Sequence, residues 1–189
     1  MSNATPIQGH YDTSSVFVAV IGRPNVGKSS LTNLLVGEKV AIVTSKPQTT
    51  RSRVVGIMSE PGAQVIFMDT PGLSQVRGRL SKTMIQAVWQ SLGQADVIMP
   101  VLDAHLYIRH PEYLDRDLAP VAEALASDER PMVVVANKVD KLKKREVEPN
   151  LEVIRQTLEL PPDTPLVPFS AEKGDGKTEV LSLLSQFFA

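Results

Sequence analysis

Three short segments carry residue types and spacings that suit one chemistry. Gly22-Arg23-Pro24-Asn25-Val26-Gly27-Lys28-Ser29 fits the pattern G-x-x-x-x-G-K-[ST], with Ser30 next in line. Glycines at 22 and 27 let backbone N–H groups face phosphate oxygens without a Cβ in the way. The helix expected after this loop aims its partially positive N-terminus at the same anion. Lys28 supplies a point charge to the β- and γ-phosphates, and the Ser29 hydroxyl is a hard oxygen ligand for Mg2+.

The second segment is Asp69-Thr70-Pro71-Gly72. Asp69 directly follows the apolar stretch 64–68, which places a carboxylate at a strand's carboxyl end, where open α/β sheets bind ligands. There it holds Mg2+ directly or through water. The Gly72 N–H can meet a γ-phosphate and lose that contact on hydrolysis, which makes a switch. The third segment is Asn137-Lys138-Val139-Asp140. The Asp140 carboxylate can accept from guanine N1–H and N2–H2 together, a donor pair adenine lacks. Sites built around such hydrogen bonds reject analogues by about 10^4 to 10^5. Asn137 is expected to brace the loop, and the Lys138 stem to lie over the ring. Ser170-Ala171 follows the last apolar stretch, where the Ala171 N–H can donate to guanine O6.

Each segment has a plainer reading. The first is a glycine-rich turn with a solvated lysine, the second a turn, the third a cap before a basic helix, the fourth a serine-capped turn. Their order along one chain favours a site for GTP or GDP with Mg2+.

Buried strands must position these segments. Residues 16–21 form a continuous apolar run, the mark of a strand covered on both faces. A helix is expected over 30–36, stopped by Gly37. Residues 54–59 and 64–68 flank Glu60-Pro61-Gly62-Ala63 and predict a hairpin. Further strands are predicted over 97–102, 132–136 and 166–169. Helices are predicted over 80–94 (with Trp89 in the core), 118–126, 145–158 and 178–188. This alternation implies an α/β fold with a mostly parallel sheet between helical layers. The segment 46–51 reads as loop, and residues 1–15 read as a flexible tail.

The chain has 189 residues and is 42% hydrophobic, enough for one domain with a real core. Its net charge of −1 argues against gripping nucleic acid by bulk electrostatics. With no cysteine, disulfides and thiolate metal sites are excluded. No apolar run approaches a membrane span, so a cytoplasmic location is expected.

These motifs, with Lys46-Pro47-Gln48-Thr49-Thr50-Arg51, resemble the GTPase domain of the Era family, in the TrmE–Era group of Ras-like GTPases. The resemblance covers residues 16–189. It rests most sharply on Pro24-Asn25 within the phosphate loop and on the Gln-Thr-Thr-Arg segment. It implies a six-stranded P-loop NTPase fold with strand order 2-3-1-4-5-6 and strand 2 antiparallel. It also implies GTP hydrolysis with Mg2+, a setting in the cytoplasm or at the periphery of the inner membrane, and a role for the parent protein in small ribosomal subunit (16S rRNA) assembly. Lys28, Thr50 and Gly72 are the implied catalytic set, and Ser29, Thr50 and Asp69 the implied Mg2+ ligands, with Thr49 as the alternative to Thr50. Asn25 matches an asparagine that binds potassium in some of these GTPases. Leu73 stands where Ras-type enzymes place a water-orienting glutamine, so intrinsic turnover is expected to be slow. Family members carry a C-terminal KH domain that binds ribosomal RNA. This chain is expected to lack it, and RNA binding is assigned to the longer parent.

Other features read as structural. The basic run 141–145 suits a solvated helix start. Arg77 and Arg79 read as solvated charge, and His10, His105 and His110 show no metal spacing.

Overall fold

The computed structural model describes residues 14–37, 53–60, 62–69, 93, 95–110, 112–113 and 129–188. Expectations for the tail through residue 13, the segment 46–51 with Thr49 and Thr50, Thr70, Pro71, Gly72, Leu73, Arg77, Arg79, the helix through Trp89 and the helix over 118–126 lie outside the described residues.

Among the described residues, six strands form one sheet in the order β2-β3-β1-β4-β5-β6. They are β1 (Ser14–Ile21), β2 (Arg53–Glu60), β3 (Ala63–Asp69), β4 (Val97–Asp103), β5 (Val134–Asn137) and β6 (Leu166–Phe169). The β2–β3 pair is antiparallel, as a short connection demands. All other neighbours run parallel. Among the described residues the named helices are α1 (Lys28–Val36), α2 (Ala104–Arg109), α3 (Lys144–Thr157) and α4 (Lys177–Ser185). The strand order and the single antiparallel strand match the expectation, with a Ras-like α/β architecture.

The two-residue period of the strands explains the two helical layers. Val16, Val18 and Val20 of β1 join Val133, Val135, Leu31, Leu35, Val180 and Leu184 in one core, the side of α1 and α4. Val134 and Ala136, one residue out of phase, join Tyr107, Leu151 and Ile154 on the side of α2 and α3. Continuous apolar runs are therefore required: β4 is buried at every position.

Most element ends shift by one to three residues from the sequence reading, among them α1, which begins at Lys28, and α4, which ends at Ser185. Strand β1 begins at Ser14, inside the expected tail, because Ser14 N donates to Gly62 O at the hairpin turn and extends the ladder. Strand β5 begins at Val134; Met132 makes only an isolated bridge to Ile98. Helix α2 was not expected, because six residues are too few to display a helical period.

The parallel registers align the carboxyl ends of the strands. Val20 pairs with Asp69, Asp103 with Asn137, and Asn137 with Phe169. Every ligand motif in the described residues therefore opens onto one edge of the sheet.

Gly56 of β2 governs how closely α1 approaches that sheet. A Cβ there would lie 2.7 Å from Val36 Cγ2 and 3.0 Å from Thr32 Cγ2. Gly56→Ala is expected to destabilise the fold by about 1–3 kcal/mol, the usual range for overpacking. Urea unfolding of the two proteins checks this; equal midpoints would mean that α1 is not pressed against β2.

Candidate functional site

The phosphate loop leaves β1 at Ile21 and enters α1 at Lys28. Asn25 at φ 67° and Gly27 at φ 100° turn it through positive φ, and Gly22 at the start of the loop also lies there, at φ 156°. Gly27 is required twice over, since a Cβ would also overlap the Asn137 amide nitrogen. Lys28 folds back across the loop and its Nζ donates to Gly22 O and Arg23 O, each at 2.8 Å. Burial lowers the Lys28 pKa, and the charge of Asp69 opposes that shift. Ser29 and Ser30 are exposed in the first turn of α1. The backbone N–H groups of that turn have no intrahelical acceptor, which suits an incoming anion.

Asp69 ends β3 beside this loop, opposite Val20 of β1. Its Oδ1 is buried and has no hydrogen-bond partner. Such an atom costs free energy unless something binds it. This orphaned carboxylate oxygen, whose charge acts on Lys28, and the exposed hydroxyl of the adjoining Ser29 are the hard oxygen donors that Mg2+ prefers. The residues present therefore fit that ion.

The third motif is braced by the first. Asn137 is 2% exposed at the end of β5. Its Nδ2 donates to Val26 O at 2.8 Å, and its Oδ1 accepts from Ala171 N at 3.1 Å. One amide thus joins the phosphate loop, β5 and the loop after β6. Lys138 follows in a left-handed conformation, φ 69°, and its Nζ donates to Asn25 O at 2.6 Å. Asp140 sits in a short 3-10 turn, Val139–Lys141. Its Oδ1 accepts from Ser170 Oγ at 2.7 Å, and Ser170 is fully buried. The serine hydroxyl also accepts from Lys173 N at 3.0 Å. It therefore orients the Asp140 carboxylate and stabilises its own turn at once.

The structure brings Gly22 through Ser30, Asp69, Asn137 through Asp140, Ser170 and Ala171 together on the carboxyl edge of the sheet. The alternative role of Asp140 as a helix cap does not hold. Helix α3 begins later, where Lys143 N donates to Glu146 Oε2 at 2.9 Å. The Ala171 N–H, expected to face guanine O6, donates instead to Asn137 Oδ1. Residues 141 and 143–145 are exposed, as a solvated helix start requires.

Sequence reasoning missed Asp103, the last residue of β4. Its Oδ1 accepts from Leu106 N at 2.9 Å and caps α2, while its Oδ2 lies 2.6 Å from Lys138 Nζ. The available signal was an aspartate directly after an apolar strand, three residues before a leucine. With Arg23, Asn25, Leu106, Tyr113 and Lys138, it lines a concavity of about 420 Å³ beside the phosphate loop.

Comparison with known proteins agrees with this geometry. The family model described as "50S ribosome-binding GTPase" matches residues 17–138. A GTPase Era of Desulfovibrio desulfuricans is 62% identical over 168 residues, covering 89% of this chain and 54% of that protein. One of Geobacter metallireducens is 40% identical over 170 residues, covering 90% and 54%. The chain thus spans about half the length of the curated relatives it matches. A crystal structure of Era with MgGDPNP and nucleotides 1506–1542 of 16S ribosomal RNA aligns with TM-score 0.63 and 36% identity, covering 94% of this chain and 58% of that one. Aquifex aeolicus Era Y63A bound to GDP and AlF4− gives TM-score 0.62 at 36% identity, with the same coverage. The G domain of FeoB from Methanococcus jannaschii, at 23% identity and TM-score 0.60, covers 92% of this chain and 98% of that one and shares the fold. The motifs, the sheet edge that gathers them and the family match over residues 17–138 agree, and the chain belongs to the 50S ribosome-binding GTPase family.

Proposed function

We propose that this chain binds GTP and GDP with Mg2+ and hydrolyses GTP to GDP and phosphate. The observation that carries this reading is the bracing of the phosphate loop by the guanine motif: Asn137 holds Val26 O and Lys138 holds Asn25 O. A phosphate cradle and a base-reading carboxylate are thereby held at fixed separation on one sheet edge. The wider assignments follow from the likeness to Era: the longer parent acts on the small ribosomal subunit and its 16S rRNA, in the cytoplasm. Among the described residues, no helix is long and apolar enough to cross a membrane.

The residues divide the work. Backbone N–H groups of residues 25–30 and the Lys28 ammonium take the phosphates. Ser29 and Asp69, with Thr50 from the switch segment, would hold Mg2+, which supplies charge neutralisation on the β- and γ-phosphates. Gly72 reports the γ-phosphate. Asp140 reads the guanine edge, Lys138 covers the ring, and Ser170 and Ala171 close the pocket. Positioning and electrostatic stabilisation carry the catalysis.

Guanine selectivity resides in Asp140. Asp140→Asn is expected to weaken GTP binding and shift preference toward xanthosine nucleotides. The amide has one acceptor oxygen where the carboxylate has two: with that oxygen on the ring N1–H, its N–H2 donates to the xanthine 2-carbonyl but meets the guanine amino group donor to donor. Competition binding with GTP, XTP and ATP reads this directly, and an unchanged GTP preference would remove the assignment.

Phosphate and metal binding depend on the loop's two chemical side chains. Lys28→Ala and Ser29→Ala are both expected to lose GTP affinity, and Ser29→Ala also its response to Mg2+. Titrations with and without Mg2+ measure both. Wild-type affinity and metal response in both variants would sink the phosphate-loop reading.

Potassium is proposed to speed hydrolysis through Asn25. Leu73 cannot orient water, and a monovalent cation beside the β/γ-bridging oxygen would offset charge on the leaving group, as an arginine finger does. Single-turnover hydrolysis is expected to be faster in KCl than in equal NaCl. Asn25→Ala should flatten that difference while leaving GDP affinity nearly intact. Equal wild-type rates in both salts exclude potassium activation; negligible turnover in both favours a nucleotide-gated interaction module instead.

A further inference from the structure

Asn137 and Asp103 are register partners, the last residues of two adjacent parallel strands. Each reaches the phosphate loop, by different routes. Asn137 bonds Val26 O directly. Asp103 acts at one remove: its Oδ2 holds Lys138 Nζ at 2.6 Å, and the same ammonium donates to Asn25 O at 2.6 Å. Two consecutive carbonyls of the phosphate loop are therefore tied to the base-reading loop.

The ammonium of a lysine on a four-carbon stem is ordinarily mobile. Here its position matters, because the stem is assigned to cover the guanine ring. The carbonyl of Asn25 is a single neutral acceptor. Asp103 adds a charged one, and charge-assisted hydrogen bonds are the stronger kind. The pair is sheltered, with side-chain exposures of 24% for Lys138 and 13% for Asp103, so solvent screens it less than a surface pair. Asp103 is itself held at both ends. Its backbone is in the β4–β5 ladder, and its Oδ1 is fixed by the Leu106 N–H. It is a rigid post rather than a second flexible chain.

We propose that Asp103 is a positioning residue for guanine-nucleotide binding: it anchors the Lys138 ammonium so that the lysine stem stands as a fixed wall of the base site. The inference rests on the guanine-nucleotide reading above. It assigns Asp103 no contact with the nucleotide; the effect passes wholly through Lys138.

The two carboxylate oxygens have separate duties, so they can be tested separately. Asp103→Asn keeps an oxygen to cap α2, since asparagine caps as well as aspartate. It turns an amide N–H2 toward Lys138 and removes the charged acceptor. Asp103→Ser likewise retains a capping hydroxyl and serves if the asparagine variant folds poorly. Lys138→Met keeps an unbranched stem without an ammonium. GDP affinity is measured by calorimetry for the wild type, Asp103→Asn, Lys138→Met and the double variant, with the thermal midpoint of each nucleotide-free protein alongside.

Asp103→Asn is expected to weaken GDP binding about tenfold or more, as the loss of a charge-assisted bond implies. In the Lys138→Met background the same change should alter affinity less than twofold, because the group it acts through is gone. An equal fold-loss in both backgrounds would show that Asp103 acts through the fold alone and would overturn the proposal. So would wild-type affinity in Asp103→Asn. A wild-type protein that fails to bind GDP at all would instead overturn the guanine-nucleotide reading. Non-additivity between contacting residues is the signature sought, and a merely structural role does not produce it.

Discussion

The buried amide of Asn137 is the constraint on which the site depends. It has one oxygen and one nitrogen engaged, each with the backbone of a different loop. Removing it would strand the Val26 carbonyl and the Ala171 N–H, and unmade buried hydrogen bonds cost on the order of 1–3 kcal/mol each. Neither loop contains a regular element of its own to hold its shape. Both are pinned to each other and to the sheet by a side chain rooted in β5, a strand buried at all four positions. The rigidity of the core thus reaches both ligand-facing loops through this residue.

The same logic explains the crowding around Gly27. The Asn137 amide can reach Val26 O only because residue 27 has no Cβ. Two motifs more than a hundred residues apart in sequence are mutually dependent in space. A second tie, through Lys138 and Asn25, runs beside the first. Preorganisation of this kind lowers the ordering cost of binding, since the loops need not be assembled around the ligand.

Much of this was legible in the sequence. The phosphate loop and the guanine motif announce themselves by residue type and spacing. The buried strands that precede them are visible as unbroken apolar runs, and Gly37 ends α1 at φ 65° where a stop was expected. The less legible parts were those decided by tertiary contact. Ser14 and Ser15 are polar and exposed, yet pairing with Ala63 and Gln64 recruits them into β1. Helix α2 depends on a single cap from Asp103 rather than on periodicity. The Ala171 N–H was expected to meet guanine O6, and only the folded chain shows Asn137 Oδ1 within reach. Asp103 carried the same signal as Asp69, an aspartate directly after an apolar run, but without a Thr-Pro-Gly sequence after it to mark it as a ligand motif.

Asn25 and Lys138 share a further property: both are non-glycine residues held at positive φ, at 67° and 69°. Each lies in a ligand-facing loop, and the carbonyl of the first receives the ammonium of the second. L-residues in this conformation are disfavoured, asparagine least among those with side chains, and β-branched residues are genuine outliers there. The substitutions open to these two positions are therefore filtered by backbone shape before any chemistry is considered. At position 25, asparagine, aspartate and glycine satisfy the turn, whereas valine, isoleucine and threonine fail it even if they left the phosphates untouched. A library randomised at residues 25 and 138 and selected only for folding, with no nucleotide present, would already be depleted of β-branched variants. Apparent functional intolerance at these two sites thus contains a purely conformational share.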